Sequence, residues 1–162
     1  MAQGWAAQIK SWSKATEEDL GKIFRESAQR VIEEMQRVGP SVANPGGGEG
    51  GNLPVDLGFL RASLTAKLNA PETGITVPPS DTQSYQYNEG AISLIILSAK
   101  LGDSIFAVYT AAYARRLEYG FNGTDSLGRS YNQSGYGFVR LAAAQWPTIV
   151  KRVVAEVKAR RK

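Results

Sequence analysis

A chain of 162 residues, 43% of them apolar and 21% charged, is long enough for one domain with a real core and too short for two comfortable ones. It contains neither cysteine nor histidine, which removes disulfides, thiol catalysis, histidine acid–base chemistry and nearly every zinc site. The net charge of +4 is a C-terminal feature: from Phe138 to Lys162 there are seven basic residues and one acid, a local +6 that leaves −2 on the remainder.

No stretch approaches the ~20 apolar residues that cross a bilayer. Met1 to Trp5 lacks the basic-then-apolar layout of a signal peptide. A protein that meets no membrane and is not exported is the expectation.

Thr16-Glu17-Glu18-Asp19 has the pattern of a capping box, a hydroxyl followed by acids in a first helical turn. Apolar residues then recur at Leu20, Ile23, Phe24, Ala28, Val31, Ile32, Met35 and Val38, one stripe of period 3.6 that Gly39-Pro40 ends. Trp5, Ile9 and Trp12 continue the spacing upstream, as a separate short helix or as part of the same one, and such a stripe is expected to pack. Residues 44–52 (NPGGGEGGN) read as a flexible surface linker, because no Gly-Lys-Ser/Thr follows to make a phosphate loop.

Pro54-Val55-Asp56 is expected to open a short second helix, with Asp56 as N-cap and Leu57, Leu60, Leu64 and Leu68 on one face. Residues 71–79 read as an extended segment around Ile75-Thr76-Val77, and 81–90 as a polar loop bearing Tyr85 and Tyr87. The apolar run 91–99 (AISLIILSA) is predicted to be a buried strand paired through a turn at 100–103 with a returning strand at 104–110. Residues 111–119 suit a helical turn or a strand equally. A long loop spans 120–137, too long for a plain connector and furnished with Phe121, Tyr131 and Tyr136. The last helix runs from Val139 through Trp146, Ile149, Val150, Val153 and Val157, with a kink or restart near Pro147 and a basic end that frays.

The sum is one α+β domain over 1–162: a small antiparallel β-sheet packed with a long N-terminal helix, a short second helix and a C-terminal helix.

Three blocks in this order resemble a known family. Pro54-Val55-Asp56-Leu57-Gly58-Phe59-Leu60-Arg61 is similar to the PVDTGxLR segment of the small tail-completion and head–tail joining proteins of long-tailed bacteriophages. Tyr113-Ala114 to Glu118-Tyr119-Gly120 resembles that family's Tyr-Ala…Glu-Tyr/Phe-Gly segment, and Phe138-Val139-Arg140-Leu141-Ala142 approximates its Phe-Leu-Arg-Pro-Ala helix. Leu57 stands where the family often has Thr, and Leu141 where it often has Pro.

The resemblance implies a structural virion subunit, arranged as a hexameric ring at the neck or tail top, with no activity and no cofactor. Its partners would be further copies of itself, adjacent neck, connector or tail proteins, and DNA passing through the channel; it would be assembled in the host cytoplasm.

Within these blocks Asp56 is expected to cap a helix and Gly58 to permit close backbone approach. Arg61 and Glu118 are candidates for a salt bridge, with two independent solvated charges as the alternative. Tyr85 and Tyr87 in one loop, or Phe121, Tyr131 and Tyr136 in the other, are candidates for contact with a neighbour, since tyrosine offers area with a polar tip.

Two other classes compete. The basic C-terminal helix suits a nucleic-acid-binding module, although its cations also oppose a helix dipole and no reader motif appears. A carboxylate enzyme would have to use Glu17, Glu18 and Asp19, or Glu33 and Glu34, all on helix faces where solvated charge is the ordinary explanation.

Overall fold

The computed structural model describes residues 2–79 and 82–160. Its elements are α1 (Ala2–Gln36), β1 (Val38–Gly39), β2 (Leu53–Pro54), α2 (Phe59–Ala62), β3 (Leu64–Leu68), α3 (Glu89–Ser98), β4 (Ile105–Tyr109), α4 (Ala114–Tyr119), β5 (Gly120–Thr124), β6 (Ser130–Ser134), α5 (Phe138–Ala144) and α6 (Trp146–Ala159). The fold is α+β: a long N-terminal and a C-terminal helix with small two-stranded sheets, two of them antiparallel and one parallel.

The apolar stripe of α1 makes this helix the spine of the molecule. Ala28, Ile32 and Met35 enter a first core cluster with Leu64, Ile92, Ile96 and Ala142. Ile23 and Val31 on another face meet Ile149, Val153 and Val157 of α6. Thr16 does not start the helix. Its hydroxyl donates to the Trp12 carbonyl at 2.9 Å within one unbroken helix, so the capping-box pattern is overridden by the residues before it.

Residues 4–14 are all exposed, Trp5 by 70% and Trp12 by 68%. The expectation that this stripe packs is therefore corrected: the first turns of α1 project beyond the body.

α6 packs mainly on α1 rather than on a sheet. It restarts at Trp146 with Pro147 in its first turn, where the missing N–H costs no hydrogen bond. Its end does not fray before Arg160, whose guanidinium forks onto Glu26 at 2.7 and 3.1 Å, while Arg30 forks onto Glu156.

The run at 91–99 is helix α3, not a strand. Periodicity cannot separate the two in a continuous apolar run. The decisive chemistry lies just upstream: the Asn88 side chain accepts the Ala91 amide at 3.0 Å, and Glu89 occupies the first turn. The predicted hairpin is thereby lost, and β4 pairs instead with β3, from Leu64 opposite Tyr109 to Leu68 opposite Ile105.

The second helix is correspondingly shorter. Leucines at 60, 64 and 68 fit a helical face, but Leu64-Thr65-Ala66-Lys67-Leu68 also alternates with period 2, and Ser63 closes α2 by donating to the Leu60 carbonyl at 2.7 Å. Asp56 lies outside this helix, whose N-cap is Gly58.

The two segments expected to be loose are organised. Residues 44–52 fold back on the end of α1, with the Glu49 and Gly51 amides both donating to the Val38 carbonyl at 2.7 and 3.0 Å. Residues 120–137 contain a hairpin, β5 against β6, registered from Gly120 opposite Ser134 to Thr124 opposite Ser130. The extended segment at 71–79 joins the β4 side through Thr76, whose amide donates to the Thr110 carbonyl at 2.8 Å.

Candidate functional site

The three sequence blocks converge. Leu53, Leu60, Ala111, Ala114 and Phe138 form a second core cluster, and Val55, Tyr113, Leu117 and Tyr136 pack around it. Phe138, 2% exposed, crosses the Tyr109 ring edge-on at 5.1 Å between centroids.

Glu118 ties two of the blocks together. It is 5% exposed, and its carboxylate accepts the amides of Val139 and Arg140 at 2.9 and 3.0 Å. Those are free N–H groups in the first turn of α5, which begins after Gly137 and has no side-chain cap of its own. Glu118 is thus a cap supplied from 21 residues upstream. The expected Arg61–Glu118 salt bridge is not formed. Arg61 turns the other way, its guanidinium 5.8 Å from the Tyr87 ring centroid. The carboxylate is taken up by the two amides at the start of α5 instead.

Above this cluster lies an open groove of about 670 Å³. One wall is the Pro54 to Phe59 segment with Tyr85; the other is the β5–β6 hairpin through Phe121, Asp125, Arg129 and Tyr131. Tyr113 and Tyr136 line it as well.

Gly58 sits in the left-handed region at φ +87°, and a Cβ there would meet the Tyr85 carbonyl at 2.6 Å. The close approach expected of this glycine is present. It holds the Tyr85 segment against the motif, with the Tyr85 amide donating to Leu57 at 2.8 Å and the Tyr85 ring edge-on to Phe59 at 5.0 Å.

The hairpin wall is braced in the same way. Arg116 lies over the Phe121 ring at 4.5 Å, and Phe121 leans on Tyr131 at 5.8 Å. Asp125 organises the hairpin tip by accepting from the amides of Leu127 and Arg129, the Arg129 guanidinium and the Tyr131 hydroxyl. These donors, foremost the Arg129 amide, lower its carboxyl to about 2. In the groove, burial pushes the Tyr113 phenol up, partly offset by a hydrogen bond with the Leu60 backbone.

Of the five aromatic residues expected at a contact surface, Tyr85, Phe121, Tyr131 and Tyr136 all line the groove. Tyr87 packs against the first core cluster and Tyr136 against the second, so each also has a structural partner. Of the motif residues, Pro54, Val55, Asp56, Gly58, Leu60 and Tyr113 line the same groove. Gly120 opens β5 at φ +86°, and the Arg140 guanidinium lies 5.6 Å from the Tyr119 ring centroid.

Two features escaped the sequence reading. The Glu118 cap is one; its available signal was a helix beginning after Gly137 with no Ser, Thr, Asp or Asn to cap it. The other is the Asp125 turn, signalled by Asp125-Ser126-Leu127-Gly128 in a tract too uniformly polar to resolve.

Among the described residues, no group of three or more acidic side chains is placed to hold a metal ion. No helix among them is long and apolar enough to cross a membrane. Compared with protein-family models, with curated proteins and with solved structures, the chain matches none of them.

Proposed function

We propose that this chain is a structural, non-catalytic subunit of a tailed-bacteriophage particle, one copy of a hexameric ring at the neck or the top of the tail. There it joins head to tail or completes the tail, contacting adjacent neck, connector or tail proteins around the DNA channel.

The observation that carries the reading is the convergence of the three resembling blocks. Segments 54–61, 113–120 and 138–142 are far apart in the chain, yet all three enter one core cluster, and the Glu118 cap joins the last two. A motif whose parts support one another in space is a physical unit, and this supports treating the resemblance as one match rather than three coincidences. The aromatic groove over that unit is a surface suited to a protein neighbour, with tyrosine edges for polar contacts.

The test is electron microscopy of a lysate from the phage or prophage that encodes the chain, carrying a stop codon in this gene. Filled heads apart from tails, or tails of uncontrolled length, are the expected result and identify the position. Intact particles at normal yield overturn the reading.

A further inference from the structure

Among the described residues, two apolar faces lie exposed with no partner. On the projecting arm of α1, Trp5, Ile9 and Trp12 are 70, 45 and 68% exposed, and their spacing puts them on one side of the helix. On α3, Leu94 and Leu97 are 68 and 67% exposed, with Leu101 just beyond at 48%, while Ile92 and Ile96 on the opposite side are buried.

The two faces cannot meet within one chain. α3 runs antiparallel to α1, with Ser93 bonded to Gln29 and the Ala99 carbonyl to Arg25. α3 therefore ends near Arg25, and the arm continues away from it in one unbroken helix. An exposed helical arm of about a dozen residues gains no stability from packing within the chain, so a partner surface against it would stabilise it.

The charges beside the two faces are complementary. The arm carries Lys10 and Lys14 and has no acid before Glu17. The α3 face is bordered by Glu89 in its own first turn and by Glu33, which lies beside Gln29 and Ser93. Both carboxylates stand close enough to Tyr87 to act on its phenol.

We infer that the arm of one copy docks its Trp5–Ile9–Trp12 face onto the Leu94–Leu97 face of α3 in a second copy. The two surfaces are different, so the contact is head-to-tail, and successive copies close into a ring when the rotation per copy permits. The inference deepens the ring reading and rests on it for closure. The two tryptophans, at about 150–250 Å² each, and the four aliphatic side chains together offer on the order of 800 Å², short of the ~1,200 Å² of a stable pairwise interface. A single joint is thus weak, and association strengthens only as joints multiply.

Sedimentation velocity to millimolar concentration tests this with the full chain and two double variants, Trp5→Glu/Trp12→Glu and Leu94→Glu/Leu97→Glu. All four sites are exposed, and circular dichroism checks that both variants fold. Concentration-dependent association of the wild type is expected, weakened at least tenfold in either variant alone. Mixing the variants is the discriminating step, because one intact arm and one intact α3 face remain: the mixture should form dimers and stop there. A leucine variant that associates like the wild type overturns the joint. A wild type that stays monomeric while its arm binds phosphatidylserine vesicles overturns it in favour of a lipid surface.

Failure of the joint is separable from failure of the ring reading. If a stop codon abolishes particles but the Leu94→Glu/Leu97→Glu allele restores them, the joint is wrong and the ring reading stands. If the stop codon leaves particles intact, the ring reading itself falls.

Discussion

The buried carboxylate of Glu118 accepts the amide of Val139 at 2.9 Å across 21 residues of chain, and the Arg140 amide beside it at 3.0 Å. This one side chain closes α4, the β5–β6 hairpin and α5 into a unit. Removing it leaves two N–H groups in the first turn of α5 without an acceptor, with only partial recovery from water at a 5% exposed position. Glu118→Ala should cost roughly 1–3 kcal/mol. At about 2–4 °C per kcal/mol for a chain of this size, thermal unfolding will read it. Glu118→Gln keeps one acceptor and should fall between the two.

Gly58 and Gly102 give a matched pair. Both have positive φ, +87° and +95°, but a Cβ at Gly102 meets open space while one at Gly58 meets the Tyr85 carbonyl at 2.6 Å. Gly102→Ala should therefore cost only the backbone strain, about 1–2 kcal/mol. Gly58→Ala should cost measurably more and should also release Tyr85 from Phe59. Denaturant unfolding of both variants, with the Tyr85 ring followed by NMR, separates the strain from the clash.

Tyr109 supplies the hydroxyl that ends α1, donating to the Met35 carbonyl at 2.9 Å in the last turn. Burial pushes its phenol far above the ordinary value near 10. The sign follows from linkage: the folded chain keeps the proton while the unfolded chain loses it, so this contribution is complete below pH ~10 and is lost as pH rises beyond it. Tyr109→Phe should lower stability by roughly 1–3 kcal/mol at neutral pH. It should also flatten the alkaline limb of a stability–pH profile.

Asp125 behaves in the opposite sense. Its carboxyl, held at about 2 by the Arg129 and Leu127 amides, the Arg129 guanidinium and the Tyr131 hydroxyl, favours the folded hairpin tip above the ordinary carboxylate value of ~3.9. That preference fades as pH falls from ~4 through about 2. Tyr131 and Gly128 resonances should titrate with a midpoint near 2. An Asp125→Asn chain should lack that transition and show a more mobile tip at all pH values.

What could be read from the sequence was what a single periodicity carries. The α1 stripe from Ile23 to Met35 and the restart at Pro147 needed no tertiary information, and both stand, whereas Leu20 at the head of the stripe is 49% exposed and Val38 at its end lies past the helix in β1. The run at 91–99 was illegible from its own residues, since every position is apolar or small and both faces look alike; Asn88-Glu89, just upstream of Gly90, held the answer. Leu60, Leu64 and Leu68 satisfied two periods at once, and only the arrival of β4 decides for a strand. The candidate site was legible in its residues but not in its connections. Pro54, Val55, Asp56, Gly58, Leu60 and Tyr113 share a groove, yet the Arg61–Glu118 pairing failed because an uncapped α5 start at Gly137 does not by itself reveal which distant side chain will cap it.

The continuity of α1 has a geometric consequence. Between Trp12 and Ala28, the first residue of the buried core, there is no proline and no break, so residue count alone fixes how far the tryptophans stand from the core and in which direction they face. Inserting one residue near Lys14 swings the Trp5–Trp12 face by ~100° and advances it by ~1.5 Å; inserting seven nearly restores its direction and advances it by ~10 Å. The helix therefore acts as a gauge with two readings, reach and bearing, and an insertion that keeps the bearing changes the reach by about two turns.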